Sequence, residues 1–245
     1  MQDKDLISEE MKVLSDYVKE LDGKYKGDLS YILSIRYADY QIEKFCRYLK
    51  ERGLWDNTTL MVCADHGSSY SYFPLHTDHV NCFDKECYHI PLIIRKPNMD
   101  GAVYDTYCNS KDILPTLLDI EGLVIDENIT GNPIRLICNH EYVITEYPNG
   151  GCPDVLSKVL KLSIRNEKYV LCYDTKLSGE LADMKPTEIY NQVSDPNCYY
   201  NIAGCGLDEK MLPLHHIICK YIENVREVTN IFIRNNSGDN ETPSN

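Results

Sequence analysis

No stretch of the chain approaches the roughly 20 consecutive apolar residues that a membrane-spanning helix needs. No C-x-x-C pair occurs among the 11 cysteines, which removes the spacing of a zinc ribbon. Positive charge is scarce: 25 Lys and Arg stand against 38 Asp and Glu, a formal net charge of −13. A phosphate backbone attracts cationic surfaces, so no nucleic-acid partner is expected, and on the same ground no anionic membrane surface is expected either. A small anionic substrate is not excluded, because a bound cation reverses the local field. No internal repeat is visible, and the opening run MQDKDLISEEMK is too charged for a secretory signal. Cys63, Cys138, Cys172 and Cys219 sit inside apolar runs, where a thiol behaves as a small hydrophobe. These features together lead to the expectation of a cytoplasmic protein with reduced core cysteines.

What is present fits a globular chain of one or two domains: 245 residues, 43% hydrophobic and 26% charged. Residues 2–21 read as a charged helix, and residues 29–52 as a stronger one, with Leu29, Ile32, Leu33, Tyr40, Phe45 and Leu49 at near-helical steps. Gly53 is its expected stop. The apolar run 59–64 reads as an interior strand that ends directly in Asp65-His66-Gly67. A long polar loop follows over 68–89, then a second strand over 90–95 and a helix over 110–121 with Ser110 as N-cap. This alternation is α/β grammar with a largely parallel sheet. After residue 140 the pattern changes to strands at 142–146, 161–165 and 169–173 and a helix near 208–228. The expected division is therefore an α/β core over 1–139, a small sheet-plus-helix subdomain over 140–234 and a disordered tail over 235–245.

Asp65-His66-Gly67 stands where open α/β sheets bind ligands, at the C-terminal end of a strand. The carboxylate and the imidazole offer a divalent cation one hard oxygen and one nitrogen. Gly67 keeps a Cβ out of the site. Asp39 reads as a helix-surface carboxylate, His215-His216 as structural, and Lys161-Arg165-Lys168 as a solvated strand face.

The run YADYQIEKFCRYLKERGLWDNTTLMVCADHG (37–67) resembles the second half of a sulfatase, in the alkaline phosphatase superfamily. YHIPLIIRKPN (88–98), SKDILPTLLDIEGL (110–123) and EIYNQVSDPNCYYNIA (188–203) are similar to later family segments in the same order. The resemblance implies an alkaline-phosphatase-like three-layer α/β/α fold with a mostly parallel sheet, here partial, plus a small C-terminal α+β subdomain. It implies a metal-dependent sulfuric ester hydrolase. The alternatives are a phosphoglycerol or phosphoethanolamine transferase, a phosphodiesterase of the same superfamily, or a non-catalytic binding remnant.

Asp65 and His66 match two metal-ligand positions of the family, with Ca2+, Mn2+ and Zn2+ all open. His79 and Lys85 are expected to meet the transferred group, and His76 to bind substrate or serve as a third ligand. The partner implied is a sulfate- or phosphate-ester small molecule or saccharide. The family's nucleophile lies in a Cys/Ser-x-Pro/Ala-x-Arg run, where Cys becomes formylglycine, and no such run occurs in these residues. The expectation is a chain lacking an N-terminal half that carries this formylglycine, prone to self-association or to pairing with that half.

Overall fold

The computed structural model describes residues 12–13, 15–20, 29–67, 85–134, 140–148, 159–176 and 184–236. These fall into two compact units. The first takes Met1–Asp78 with His89–Gly101, and the second His79–Tyr88 with Ala102–Asn245.

In the first unit, helix α1 spans Leu29–Glu51. Its outer face is laced by Arg36–Asp39 at 2.9 Å and Arg47–Glu43 at 2.7 Å, the helical-neighbour spacings. It stops at Gly53, whose φ of +66° suits a residue without a Cβ. The Leu54 amide donates to Leu49 O at 2.8 Å and the Gly53 amide to Lys50 O at 3.1 Å, the paired bonds of a Schellman cap. Strand β1 (Leu60–Cys63) then pairs with β2 (Leu92–Arg95). The ladder is antiparallel, with Leu60 opposite Arg95 and Cys63 opposite Leu92. The expected direction was parallel. The two segments pair directly here, and direct pairing of neighbours favours antiparallel, whereas parallel strands need a crossover element between them. Every ladder among the described residues is antiparallel. β1 is half-buried and Cys63 is exposed, which corrects the reading of a fully interior strand with Cys63 as a core thiol.

The second unit begins with the short helix α2 (Lys85–Tyr88). A 3-10 turn at Ser110–Asp112 leads into α3 (Ile113–Ile120). The cap is Asn109, in a reciprocal box with Asp112, and not Ser110 as the sequence suggests. Strands β3 (Val143–Pro148), β4 (Val159–Arg165), β5 (Tyr169–Lys176) and β6 (Glu188–Asn191) form an antiparallel meander in that order. Helix α4 (Leu212–Asn236) follows.

The period-2 alternation sends Leu160, Leu162 and Ile164 of β4 and Leu171 and Tyr173 of β5 into one core with Met211, Leu214, Ile218 and Ile222 of α4. That core is the main source of stability, since each fully buried aliphatic side chain contributes about 1.5–3 kcal/mol.

Tyr173 ties α4 to this sheet through its hydroxyl, 3.0 Å from His215 Nδ1. Burial pushes the Tyr173 phenol far up, so it stays protonated and donates. His215 Nδ1 accepts from it when that nitrogen is bare, and protonating the ring reverses the direction of the bond. Burial, and then the neighbouring His216, hold His215 below its ordinary value. A depressed folded-state value means the unfolded chain binds the proton first. The His215 contribution is therefore complete above the unfolded pKa near 6.5 and is lost as pH falls below it. Urea unfolding at pH 7 and at pH 5 should show wild type losing more stability on acidification than His215→Gln. Equal losses in the two proteins would contradict this.

Candidate functional site

The site is built from the turn before β1 outward. Arg95, at the end of β2, stacks its guanidinium 4.0 Å over the Trp55 ring and donates from Nη1 to Thr58 O at 2.9 Å and to Trp55 O. Lys50 Nζ lies 4.7 Å from the centroid of the same ring. These cation–π contacts, each about 0.5–2 kcal/mol, fix the turn that feeds β1. β1 then delivers Asp65 and His66 just past its last residue.

Three contacts define the pair. The His66 amide donates to Asp65 Oδ1 at 2.8 Å. His66 Nδ1 lies 2.7 Å from the Gly67 carbonyl oxygen. A carbonyl only accepts, so Nδ1 carries a proton, and in the neutral ring the lone pair is on Nε2. This is how ligating histidines are oriented by an outer backbone acceptor. His66 Nε2 stands 3.8 Å from Asp65 Oδ2. The amide bond from His66, and then its imidazole, hold the Asp65 carboxyl below the usual carboxylate range. Both side chains are open to solvent, at 89% exposure for Asp65 and 69% for His66. A carboxylate oxygen and the Nε2 of an Nδ1-protonated imidazole thus lie 3.8 Å apart on adjacent residues. This donor set fits a divalent cation, as two of its ligands. Among the described residues no cluster of three or more His, Cys, Asp or Glu side chains completes such a shell.

Of the other candidates, Lys85 opens α2 in the second unit and is exposed. His76 and His79 lie outside the described residues. Asp39 pairs with Arg36 on the exposed surface of α1, as a helix-surface carboxylate should.

Two functional-grade groups escaped the sequence reading. Asp112 is fully buried and accepts from the Asn109 amide at 2.7 Å, the Asn132 amide at 2.9 Å and His140 Nε2 at 3.1 Å. Its only sequence signal is the Asn-x-x-Asp box spacing. Arg165, read as part of a solvated face, is 1% exposed. Alternation shows that Ser163 and Arg165 share a face, but not that Tyr88 covers it.

The sulfatase family profile matches residues 14–123. Lipoteichoic acid synthase 1 of Bacillus subtilis is 37% identical over 103 residues, which is 38% of this chain and 16% of that protein. An N-acetylglucosamine-6-O-sulfatase of Bacteroides thetaiotaomicron is 25% identical over 193 residues, 71% of this chain and 31% of that protein. The chain thus spans less than a third of the length of these curated relatives. A protein solved with its substrate D-glucosamine-2-N,6-O-disulfate superposes with a TM-score of 0.55 and 20% identity, over 93% of this chain and 47% of that one. The family profile and the curated relatives thus support a sulfatase-type domain over residues 14–123, and the superposition gives the chain an alkaline-phosphatase-like α/β fold.

Proposed function

We propose that this chain supplies part of the active site of a metal-dependent sulfuric ester hydrolase. Asp65 and His66 act as two ligands of a divalent cation, and Lys85 as a cation for the ester's anionic group. The observation that supports this is the His66 ring, held through Nδ1 by Gly67 O so that Nε2 is the ring nitrogen left to ligate, 3.8 Å from Asp65 Oδ2. A divalent cation bound there would neutralise sulfate oxygens and lower the pKa of an attacking group. Asp65 contributes charge, His66 a nitrogen that favours Mn2+ or Zn2+ over Ca2+. His76 and His79 are further ligands or anion contacts from the same stretch. The chain holds no Cys/Ser-x-Pro/Ala-x-Arg run, so the attacking group, formylglycine by family resemblance, comes from outside these residues. A sulfated saccharide is the proposed substrate, supported by the sulfated glucosamine bound to the superposable protein.

A second reading is phosphoglycerol or phosphoethanolamine transfer. It is favoured by one observation, the 37% identity to a lipoteichoic acid synthase over 103 residues.

Calorimetry on the full chain with Mn2+ separates them. The sulfatase reading expects Mn2+-dependent binding of N-acetylglucosamine-6-sulfate in preference to glycerol 1-phosphate, lost in Asp65→Ala. The reverse preference selects the second reading, and binding independent of metal and of Asp65 contradicts both. Without an attacking group, the chain with Ca2+, Mn2+ or Zn2+ should not turn over an aryl sulfate or aryl phosphate. Turnover that Asp65→Ala abolishes would refute the external nucleophile.

A further inference from the structure

Arg165 is the least explained charge in the second unit. It lies at the end of β4 and is 1% exposed. Nη2 donates to Ser163 Oγ at 3.1 Å, while Nε and Nη1 have no hydrogen-bond partner among the described residues. Among the described residues, the groups that act on it most strongly are the phenols of Tyr88 and Tyr107 and the thiols of Cys172 and Cys198, with no carboxylate among them, and the Tyr88 side chain also hydrogen-bonds it. A buried cation without a counter-charge is expensive, and each unsatisfied buried donor adds to the cost. Such a group calls for a compensating interaction and a reason to be kept.

The compensating interaction is a ring. The guanidinium carbon sits 3.2 Å from the centroid of Tyr88, the last residue of α2. Cation–π attraction is strongest where water is excluded, as here. The neighbouring Cys87 is also buried, so the C-terminal end of α2 is sunk while Lys85 and Glu86 at its start are exposed. Leu162 and Ile164 fill the opposite face of the strand with α4. β4 is therefore fixed on one side by the core and meets α2 on the other through the buried Arg165.

We propose that Arg165 is a positioning residue: its stack on Tyr88 clamps α2 to the four-stranded sheet and so sets the place from which Lys85 meets an oxyanion. This rests on the reading of Lys85 given above, and its test separates the two. The full chain is compared with Arg165→Met, Tyr88→Leu, Tyr88→Phe and Lys85→Ala. Hydrogen exchange is read over 85–88 and over β4–β5, and binding of inorganic sulfate by calorimetry.

Loss of the stack should speed exchange over 85–88 by about tenfold in Arg165→Met and in Tyr88→Leu, with β4–β5 unchanged. Both should weaken sulfate binding several-fold, and Tyr88→Phe, which keeps the ring face but loses the hydroxyl's hydrogen bond with Arg165, should stay closer to wild type than Tyr88→Leu in both readouts. If Arg165→Met does not fold, Tyr88→Leu carries the same comparison. Unchanged exchange over 85–88, or Tyr88→Phe behaving like Tyr88→Leu, overturns the clamp. Sulfate binding that Lys85→Ala leaves intact, or that the full chain lacks, overturns the anion role of Lys85 and with it the purpose of the clamp, while the exchange pattern still judges the stack itself.

Discussion

Gly131→Ala is expected to cost the fold about 3–5 kcal/mol, because a Cβ at that position has nowhere to go. It would meet the Lys111 carbonyl oxygen at 2.3 Å and its carbon at 2.7 Å, and Asp112 Oδ1 at 3.0 Å. The first two are backbone atoms and cannot swing aside. The φ of +107° adds a second penalty for any L side chain. For a chain of this size the loss corresponds to a drop in Tm of about 10 °C, read by thermal unfolding under reversible conditions. A drop of only a degree or two would show that the 131–134 segment can move off the 3-10 turn at Ser110–Asp112 at little cost.

Asp112→Ala should be nearly as damaging, at about 3–5 kcal/mol, for an electrostatic reason. The carboxyl group is fully buried and receives two backbone amides and an imidazole. Removing it strands the Asn109 and Asn132 amides and leaves His140 without its partner. Asp112→Asn keeps one acceptor oxygen and should fall between the two in urea unfolding. The next link in the same network is Thr116, whose hydroxyl donates to Asp112 O at 2.5 Å and accepts from the Ile134 amide at 2.9 Å. Because Gly131 brings Asn132 to Asp112, the double variant should lose less than the two single losses added together. A loss below about 1 kcal/mol for Asp112→Ala would mean that the three donors find other acceptors.

The helices were legible because their signals are local. The 29–52 periodicity and Gly53 yield α1 at Leu29–Glu51, and the 208–228 pattern yields the first half of α4 at Leu212–Asn236. The apolar runs give β1, β2, β4 and β5 within one to three residues at most ends. Strand direction was not legible, since Leu60 opposite Arg95 is a statement about pairing and no residue of either strand encodes it alone. Nor was β6, where Glu188 and Asn191 flank two buried residues in a segment too short to show a period.

In the site, the Asp65–His66 pairing follows from sequence adjacency. The His66 tautomer does not, because it depends on the turn that brings Gly67 O to Nδ1. Arg165 was misread for the same kind of reason. Its charge reads as solvated until a ring from a segment 77 residues earlier in the chain is seen to cover it, as Tyr88 does.

The most direct measurement is a Mn2+ titration of the full chain by calorimetry, paired with pulsed EPR for nitrogen coupling. One ion per chain should bind with a directly coupled imidazole nitrogen, and Asp65→Ala and His66→Ala should each weaken binding by at least about tenfold to a hundredfold. The nitrogen signal should vanish in His66→Ala and persist, on whatever ion remains, in Asp65→Ala. Mn2+ bound with undiminished affinity by both variants, or bound with no nitrogen coupling in the wild type, would show that the end of β1 holds no metal.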